Sequence, residues 1–320
     1  MIDVAVVGLG AMGSMALWRL AARGVAAAGF DRFSPPHDRG SSHGESRIIR
    51  TACAEGAFYV PLIREAFALW RELEADSGTG LVTMTGALMI GRRDGGLVGG
   101  ALASCAAHGL EHRVLDGDEA AERFPQHLLD AEDVALWEPQ AGVLRPEACI
   151  AAALTRAEML GAGVNRAAPV VAIEEDAARV VIRLAGGGAV EARRCVVATG
   201  SWTGRLVPEL NAYLQVERQV LAWFALDAAV LFLPDRFPVF VRELSDGLLR
   251  YGVPTLDGRS IKLAVHHEGA TADPDAIDRE VSAGDLAPLE EFVTTRLRGV
   301  STGPCAPLSA CTPTLPMSTC

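Results

Sequence analysis

The sequence predicts an α/β chain, α+β overall, in which a doubly wound domain built from separated pieces carries an inserted, largely antiparallel β domain. Three observations predict it. A strand–turn–helix–strand order opens the chain between Asp3 and Asp31. Helix-like periodicity gives way to short β runs after Leu160, and these runs continue from Leu214 to Val265 around the pairs Asp246-Gly247 and Asp257-Gly258, which favour hairpin turns.

Taken in order, Asp3 to Gly8 is a short β-branched run, Met12 to Arg23 has helical apolar spacing, and Ala26 to Asp31 is a second apolar run closed by an acid. Ser34 to Arg50, rich in Pro, Gly, Ser and His, predicts a long loop, and a loop of that length needs a functional reason. Phe58 to Glu74 follows with helical spacing. Leu81 to Ile90 reads as a strand, and Leu97 to His108 and Asp118 to Phe124 as helices. Pro146 to Leu160 is a helix with Pro146 near its start, Glu147 in its first turn and Gly161 beyond its end. Val170 to Ile173, Val180 to Leu184, Ala189 to Ala192 and Cys195 to Ala198 are strand-like. Ser301 to Cys320 shows almost no periodicity and reads as an ending rather than a folded element. This order assigns 1–80, 145–210 and 300–320 to the first domain and 81–144 with 211–299 to the second.

Composition narrows the function. Half of the 320 residues are hydrophobic, yet no uncharged apolar run reaches the roughly 20 residues of a membrane span. The chain opens on Asp3 rather than on a basic leader, so a cytoplasmic location is expected. Seven cysteines without CxxC or metal spacing point to reduced thiols and no metal site. A net charge of -11 and the lack of a basic stripe exclude a nucleic-acid binder and leave small molecules as partners. Among 29 basic residues Lys262 is the sole lysine, which marks it for attention.

Gly8-Leu9-Gly10-Ala11-Met12-Gly13 follows a strand and opens a helix. One glycine makes the tight turn, another lets backbone approach a pyrophosphate, and the third packs helix on strand, with the phosphates at the helix N-terminus. Asp31, 18 residues past Gly13, stands where a carboxylate accepts hydrogen bonds from a ribose 2′-OH. That acid disfavours NADP and leaves FAD or NAD. A second strand ending in Ala198-Thr199-Gly200 and the polar loop after Asp31 favour FAD, hence a Rossmann-type FAD-binding domain with an inserted substrate domain. Val170 and Gly200, at the ends of their strands, count among the expected cofactor contacts.

Pro35-Pro36-His37 followed by Gly40-Ser41-Ser42-His43-Gly44-Glu45-Ser46-Arg47-Ile48-Ile49-Arg50 resembles the signature of the monomeric sarcosine oxidase and N-methyltryptophan oxidase family. Glu138-Pro139, Gly142-Val143-Leu144, Tyr251-Gly252-Val253-Pro254 and Ile261-Lys262-Leu263 extend the resemblance over nearly the whole chain, and Gln219-Val220-Leu221-Ala222-Trp223 resembles the N-methyltryptophan branch. The resemblance implies a monomeric enzyme that uses FAD and O2 to oxidise a secondary N-methyl amino acid, yielding an imine and H2O2. It implies that Ser41, His43 and Arg47 lie against the flavin and that Arg50 binds the substrate carboxylate, a task suited to a planar guanidinium. It places Lys262 over the flavin as promoter of the oxygen reaction, and His266 and Tyr251 beside the substrate. Even spacing sets His266 on the face of Lys262, with His267 pointing away. Cys311 lies where the family forms a thioether to the flavin. Relatives continue differently after that cysteine and carry a further Gly-rich segment with a lysine, so a catalytically impaired flavoprotein is the alternative expectation.

Overall fold

The computed structural model describes residues 1–267 and 269–314, with backbone alone from 307 onward. The chain runs β1 (Ile2–Val7), α1 (Ala11–Ala22), β2 (Ala27–Phe30), β3 (Arg47–Arg50), α2 (Val60–Ser77), β4 (Val82–Met84), β5 (Ala87–Arg92), α3 (Gly96–His108), β6 (Arg113–Leu115), α4 (Gly117–Arg123), β7 (Asp133–Glu138), β8 (Ala141–Leu144) and α5 (Pro146–Met159). It continues with β9 (Gly163–Asn165), β10 (Val170–Glu175), β11 (Val180–Leu184), β12 (Ala189–Val197), α6 (Thr203–Leu206), β13 (Gln215–Leu226), β14 (Val239–Glu243), β15 (Leu249–Val253), β16 (Ser260–His266), α7 (Ala283–Arg296) and β17 (Val300–Thr314).

Three sheets result among the described residues. The first has the order β10-β11-β12-β1-β2-β9, parallel across its last four strands. Its β1 and β2 are fully apolar at their C-terminal ends, as strands covered on both faces must be. One face buries Val6, Leu17 and Trp18 against α5 residues Ile150, Ala153 and Leu154, and the other buries Ala5, Val7 and Phe30 against the β10–β11 hairpin. The second sheet, β17-β13-β16-β15-β14-β5-β7-β6, is antiparallel except between β14 and β5. Phe224, Ile261 and Leu263 of this sheet pack on Leu289, Phe292 and Val293 of α7. A small sheet, β3-β8-β4, joins the two. Among the described residues no helix is long and apolar enough to cross a membrane.

The two-layered α/β architecture with an antiparallel partner is the one the sequence predicts, and several elements differ in detail. Leu81 to Ile90 is two strands in different sheets, because Gly86 turns the chain in the left-handed region (φ +70°) between them. The expected loop before residue 50 ends in β3, whose pairing with β8 fixes Arg47 opposite Leu144 and Arg50 opposite Ala141. The sequence reading assigns no element to 283–296, where a capping box between Ser282 and Asp285 starts helix α7 with Pro288 inside it. Val300–Thr314 is not an aperiodic ending but a long edge strand on β13, so these residues, grouped on sequence with the nucleotide segments, pair within the eight-stranded sheet.

Candidate active site

The glycine turn between β1 and α1 is built by close contact. A Cβ on Gly13 would sit 1.8 Å from the Gly8 carbonyl oxygen, and one on Gly8 would sit 2.4 Å from that of Ala198. Gly10 is different: a Cβ there would meet only Ser42 Oγ, at 3.5 Å, and would project into open space. That space is a cleft of about 1120 Å³ lined by Gly8, Gly10, Ala11, Met12, Asp31, Ser41, Arg47, Val170 and Gly200, among others. Gly10 carries no side-chain cap, so the positive end of α1 faces the cleft. Ser42 Oγ accepts the Ala11 N–H at 3.1 Å and steadies the turn. Asp31 is buried, its carboxylate accepting from Leu9 N at 2.7 Å and Phe33 N at 2.8 Å. Ser201 Oγ, buried in the same wall, has no hydrogen-bond partner among the described residues.

Lys262 lies on β16 between Val253 of β15 and Trp223 of β13. Residues directly opposite in an antiparallel pair share a face. The register therefore sets Lys262, Tyr251 (opposite Ala264) and His266 on one side of the sheet. Only 4% of Lys262 is exposed, and its Nζ donates to the carbonyls of Gly44 at 2.9 Å and Ser46 at 2.8 Å. Arg47 donates to the same Ser46 carbonyl at 2.7 Å and to that of Ser41. Two cations thus converge on one oxygen, and Arg47 also lines the cleft. Burial and the neighbouring Arg47 pull the Lys262 ammonium down to about 7. Burial pushes the Tyr251 phenol up, which keeps it neutral at ordinary pH, while Arg47 opposes that shift.

At the other end of β3 Arg50 Nη2 reaches both carboxylate oxygens of Glu55, at 2.7 and 2.9 Å, while its Nη1 donates to Ala52 O at 2.9 Å. Burial alone would raise the Glu55 carboxyl; Arg50 and a hydrogen bond from Cys53 outweigh it and hold the group at about 2. His266 lies near this pair, and burial with the adjacent His267 lowers its imidazole to about 4. His267 does not point away from His266: it leaves the strand with φ +58° and its ring lies 3.8 Å from the His266 ring. Tyr251 meets His266 edge-on at 6.3 Å.

The structure therefore sets most of the predicted residues along one continuous region, with Arg47 joining the cleft to the Lys262–Tyr251 face. Gly13 packs the turn rather than lining the cleft, and His43 is buried beside Arg47 without lining it, its Nε2 unpartnered. Cys311 pairs in register with Arg218, and its side chain lies outside those described. Sequence reading gave no role to Ser42 or Glu55, although both fall within the segment that carries the resemblance, and did not single out Ser201. The first sits beside a singled-out serine and the second beside a glycine in the resembling segment, whereas nothing in the sequence distinguishes Ser201.

Residues 3–312 match the family model described as FAD dependent oxidoreductase, nearly the full chain. This chain belongs to the FAD dependent oxidoreductase family. Its relatives include a monomeric sarcosine oxidase of Streptomyces avermitilis, 36% identical over 91% of this chain and 77% of that protein. An N-methyl-L-tryptophan oxidase of Yersinia pestis is 32% identical over 83% of this chain and 71% of that one. The fold is shared with NikD, described as an unusual amino acid oxidase (TM-score 0.84, 22% identity, 98% of this chain and 81% of that one). It is also shared with the glycine oxidase of Geobacillus kaustophilus (TM-score 0.75, 21% identity, 99% and 84%). The cofactor of this FAD-dependent oxidoreductase fits the residues present. The cleft exceeds the roughly 300–1,000 Å³ of ordinary ligand sites, as an extended dinucleotide requires. The uncapped helix end and the open side of Gly10 suit a pyrophosphate, Asp31 suits a ribose, and the orphaned Ser201 hydroxyl offers a further polar contact.

Proposed function

We propose that this FAD-dependent oxidoreductase oxidises N-methyl amino acids of the sarcosine or N-methyltryptophan kind with dioxygen, acting as a monomer. The amine loses a hydride from the carbon bonded to nitrogen and a proton from nitrogen; the resulting imine is hydrolysed and O2 becomes H2O2. FAD, when bound, supplies the hydride acceptor and passes the electrons to dioxygen. The observation that carries this reading is the buried pair Lys262 and Arg47 on one carbonyl, at the junction of the nucleotide cleft with the Tyr251–His266 face.

Each residue has a task that follows from its setting. Arg50 already holds a carboxylate, that of Glu55, through Nη2, so exchange of Glu55 for a substrate carboxylate leaves the guanidinium satisfied. With its imidazole at about 4, His266 is neutral at pH 7 and can accept a hydrogen bond from the substrate amine. Tyr251, also neutral, borders the same space. Lys262 presents a compact charge in a dry setting, where it favours the negative charge that develops on oxygen. Cys311 is the proposed covalent attachment point.

The relatives do not decide the nitrogen's partner, since the sarcosine oxidase is 36% identical and the N-methyltryptophan oxidase 32%. The test is a flavin absorbance spectrum combined with peroxide release from sarcosine, N-methyltryptophan and proline. Peroxide from an N-methyl amino acid is expected; a yellow protein that yields none from any of the three refutes the reading. Colour that stays with the polypeptide after acid precipitation, and is lost in Cys311→Ala, is the expected sign of attachment.

A further inference from the structure

The geometry points to Glu138 as the positioning residue that fixes the direction of the Arg50 guanidinium, through the backbone of Thr51 and Ala52. Glu138 closes β7 and is fully buried, yet no cation contacts its carboxylate among the described residues. Its oxygens accept three bonds from two consecutive residues: Thr51 N at 3.1 Å, Thr51 Oγ1 at 2.7 Å and Ala52 N at 2.8 Å. The Ala52 carbonyl, on the far side of that residue, accepts from Arg50 Nη1 at 2.9 Å. Ser104 Oγ donates to the next carbonyl, that of Cys53, at 2.5 Å.

A buried carboxylate is costly, and hydrophobic or neutral replacements are the ordinary solution. Three donors aimed at one point remove that option, because only a group that accepts and never donates satisfies them all; the amide of glutamine would set an N–H against one of them. Burial raises the Glu138 carboxyl, and the three donors and the charge of Arg50 oppose the shift. The location adds the reason for the arrangement. Glu138 is the last residue of the eight-stranded sheet before the chain crosses to β8, the partner of β3, so it ties the segment after Arg50 to the rigid sheet beneath.

The consequence appears when substrate arrives. Arg50 holds Glu55 through Nη2 and Ala52 O through Nη1. A carboxylate ligand competes for the first contact and leaves the second, so Ala52 O is the fixed reference for the fork. Glu138 therefore acts on carboxylate recognition without touching the substrate.

This inference rests on the amine-oxidase reading, and substrates with and without a carboxylate separate the two. In Glu138→Gln the KM for an N-methyl amino acid is expected to rise about tenfold or more, the scale of one weakened charge-assisted contact, with kcat within about threefold. The KM for the same amine as its methyl ester is expected to stay unchanged. Because a buried change of this kind can prevent folding, Thr51→Val is the milder arm: it removes the Oγ1 donor, should raise KM several-fold for the acid alone, and should be rescued by Thr51→Ser. Equal changes for acid and ester, or no change for either in Thr51→Val, overturn the assignment. If the unmodified protein oxidises no N-methyl amine, the functional reading fails separately. Acetate titrated against the flavin spectrum then reads the Arg50 site directly: weaker binding in Thr51→Val supports the positioning role, and equal binding refutes it.

Discussion

Replacing Lys262 with methionine should make the protein more stable at pH 7 and less stable at pH 10.5. The ammonium titrates near 7 in the fold against 10.5 in the open chain. The unfolded state therefore binds more protons between those values, and wild-type stability rises with pH through that window. At pH 7 the difference corresponds to roughly 4 kcal/mol held against the folded state, at about 1.36 kcal/mol per pH unit. Methionine has a similar length and carries no charge. Its cost is the lost donor at Gly44 O and Ser46 O, and each keeps another: Ser46 N donates to Gly44 O at 2.8 Å and Arg47 to Ser46 O at 2.7 Å. That loss is therefore small, about 2 kcal/mol in all. The net is a gain of about 2 kcal/mol for Lys262→Met at pH 7, which vanishes and reverses as both states of the lysine become neutral. Urea unfolding at fixed FAD concentration, at pH 7 and pH 10.5, measures it. A variant that is destabilised at pH 7, or whose difference from wild type does not change sign toward pH 10.5, refutes the reasoning.

The same Lys262→Met variant should slow flavin reoxidation by dioxygen about 10²-fold or more, as expected for a unit charge a few Å away at an effective dielectric near 20, while reduction by substrate changes little. Stopped-flow traces of the two half-reactions separate them, and equal slowing removes the oxygen role. Arg50→Lys should raise KM for the amino acid roughly 10- to 100-fold, because a single ammonium cannot hold a carboxylate and the Ala52 carbonyl from two rigidly spaced nitrogens as Nη2 and Nη1 do; steady-state kinetics decide. His127 is stacked on Phe237 at 5.0 Å with neither ring nitrogen bonded among the described residues, and burial, with Arg242 nearby, drives its imidazole down to about 3. The open chain then takes up the proton first as pH falls below about 6.5, so stability is lost between pH 6.5 and 3, about 2 kcal/mol of it by pH 5. His127→Phe should remove that part of the acid sensitivity, seen as a smaller drop in urea midpoint from pH 7 to pH 5.

The nucleotide turn was legible in the sequence because its constraints are local: Gly8, Gly10 and Gly13 act within six residues, and Asp31 lies one crossover away. Lys262 was singled out by the resemblance of Ile261-Lys262-Leu263 to the family, and its isolation in an arginine-biased chain sharpened that reading. Other parts were hidden because their causes are distant. Val300–Thr314 lacks a period of its own and becomes a strand by pairing with β13, so its order is supplied by a neighbour some 80 residues earlier. Helix α7 carries Pro288 in its interior, and local chemistry at Ser282 and packing of Phe292 and Val293 outweigh one lost backbone bond. The reversal of His267 turned on a single backbone angle that alternation along a strand does not foresee.

Why a lysine survives at position 262 is itself answerable from the structure, and the answer is testable. Nζ sits between two carbonyls with a residual space of about 20 Å³ beside it, bounded by Trp223, Val253 and Ser260. A point cation with three donors fits two carbonyls and leaves one N–H for the open side. A planar guanidinium has five donors and a larger head, so it would leave several unpaired and press on the wall. It also stays charged at every accessible pH, whereas the ammonium can shed its proton near 7 and escape the burial cost. Lys262→Arg should thus lose about 1–3 kcal/mol of stability from overpacking and react slowly with dioxygen despite retaining its positive charge. Urea midpoints and reoxidation rates at pH 7 check both. An arginine variant as stable and as fast as the wild type would show that charge alone matters at this position and that the lone lysine was kept by chance.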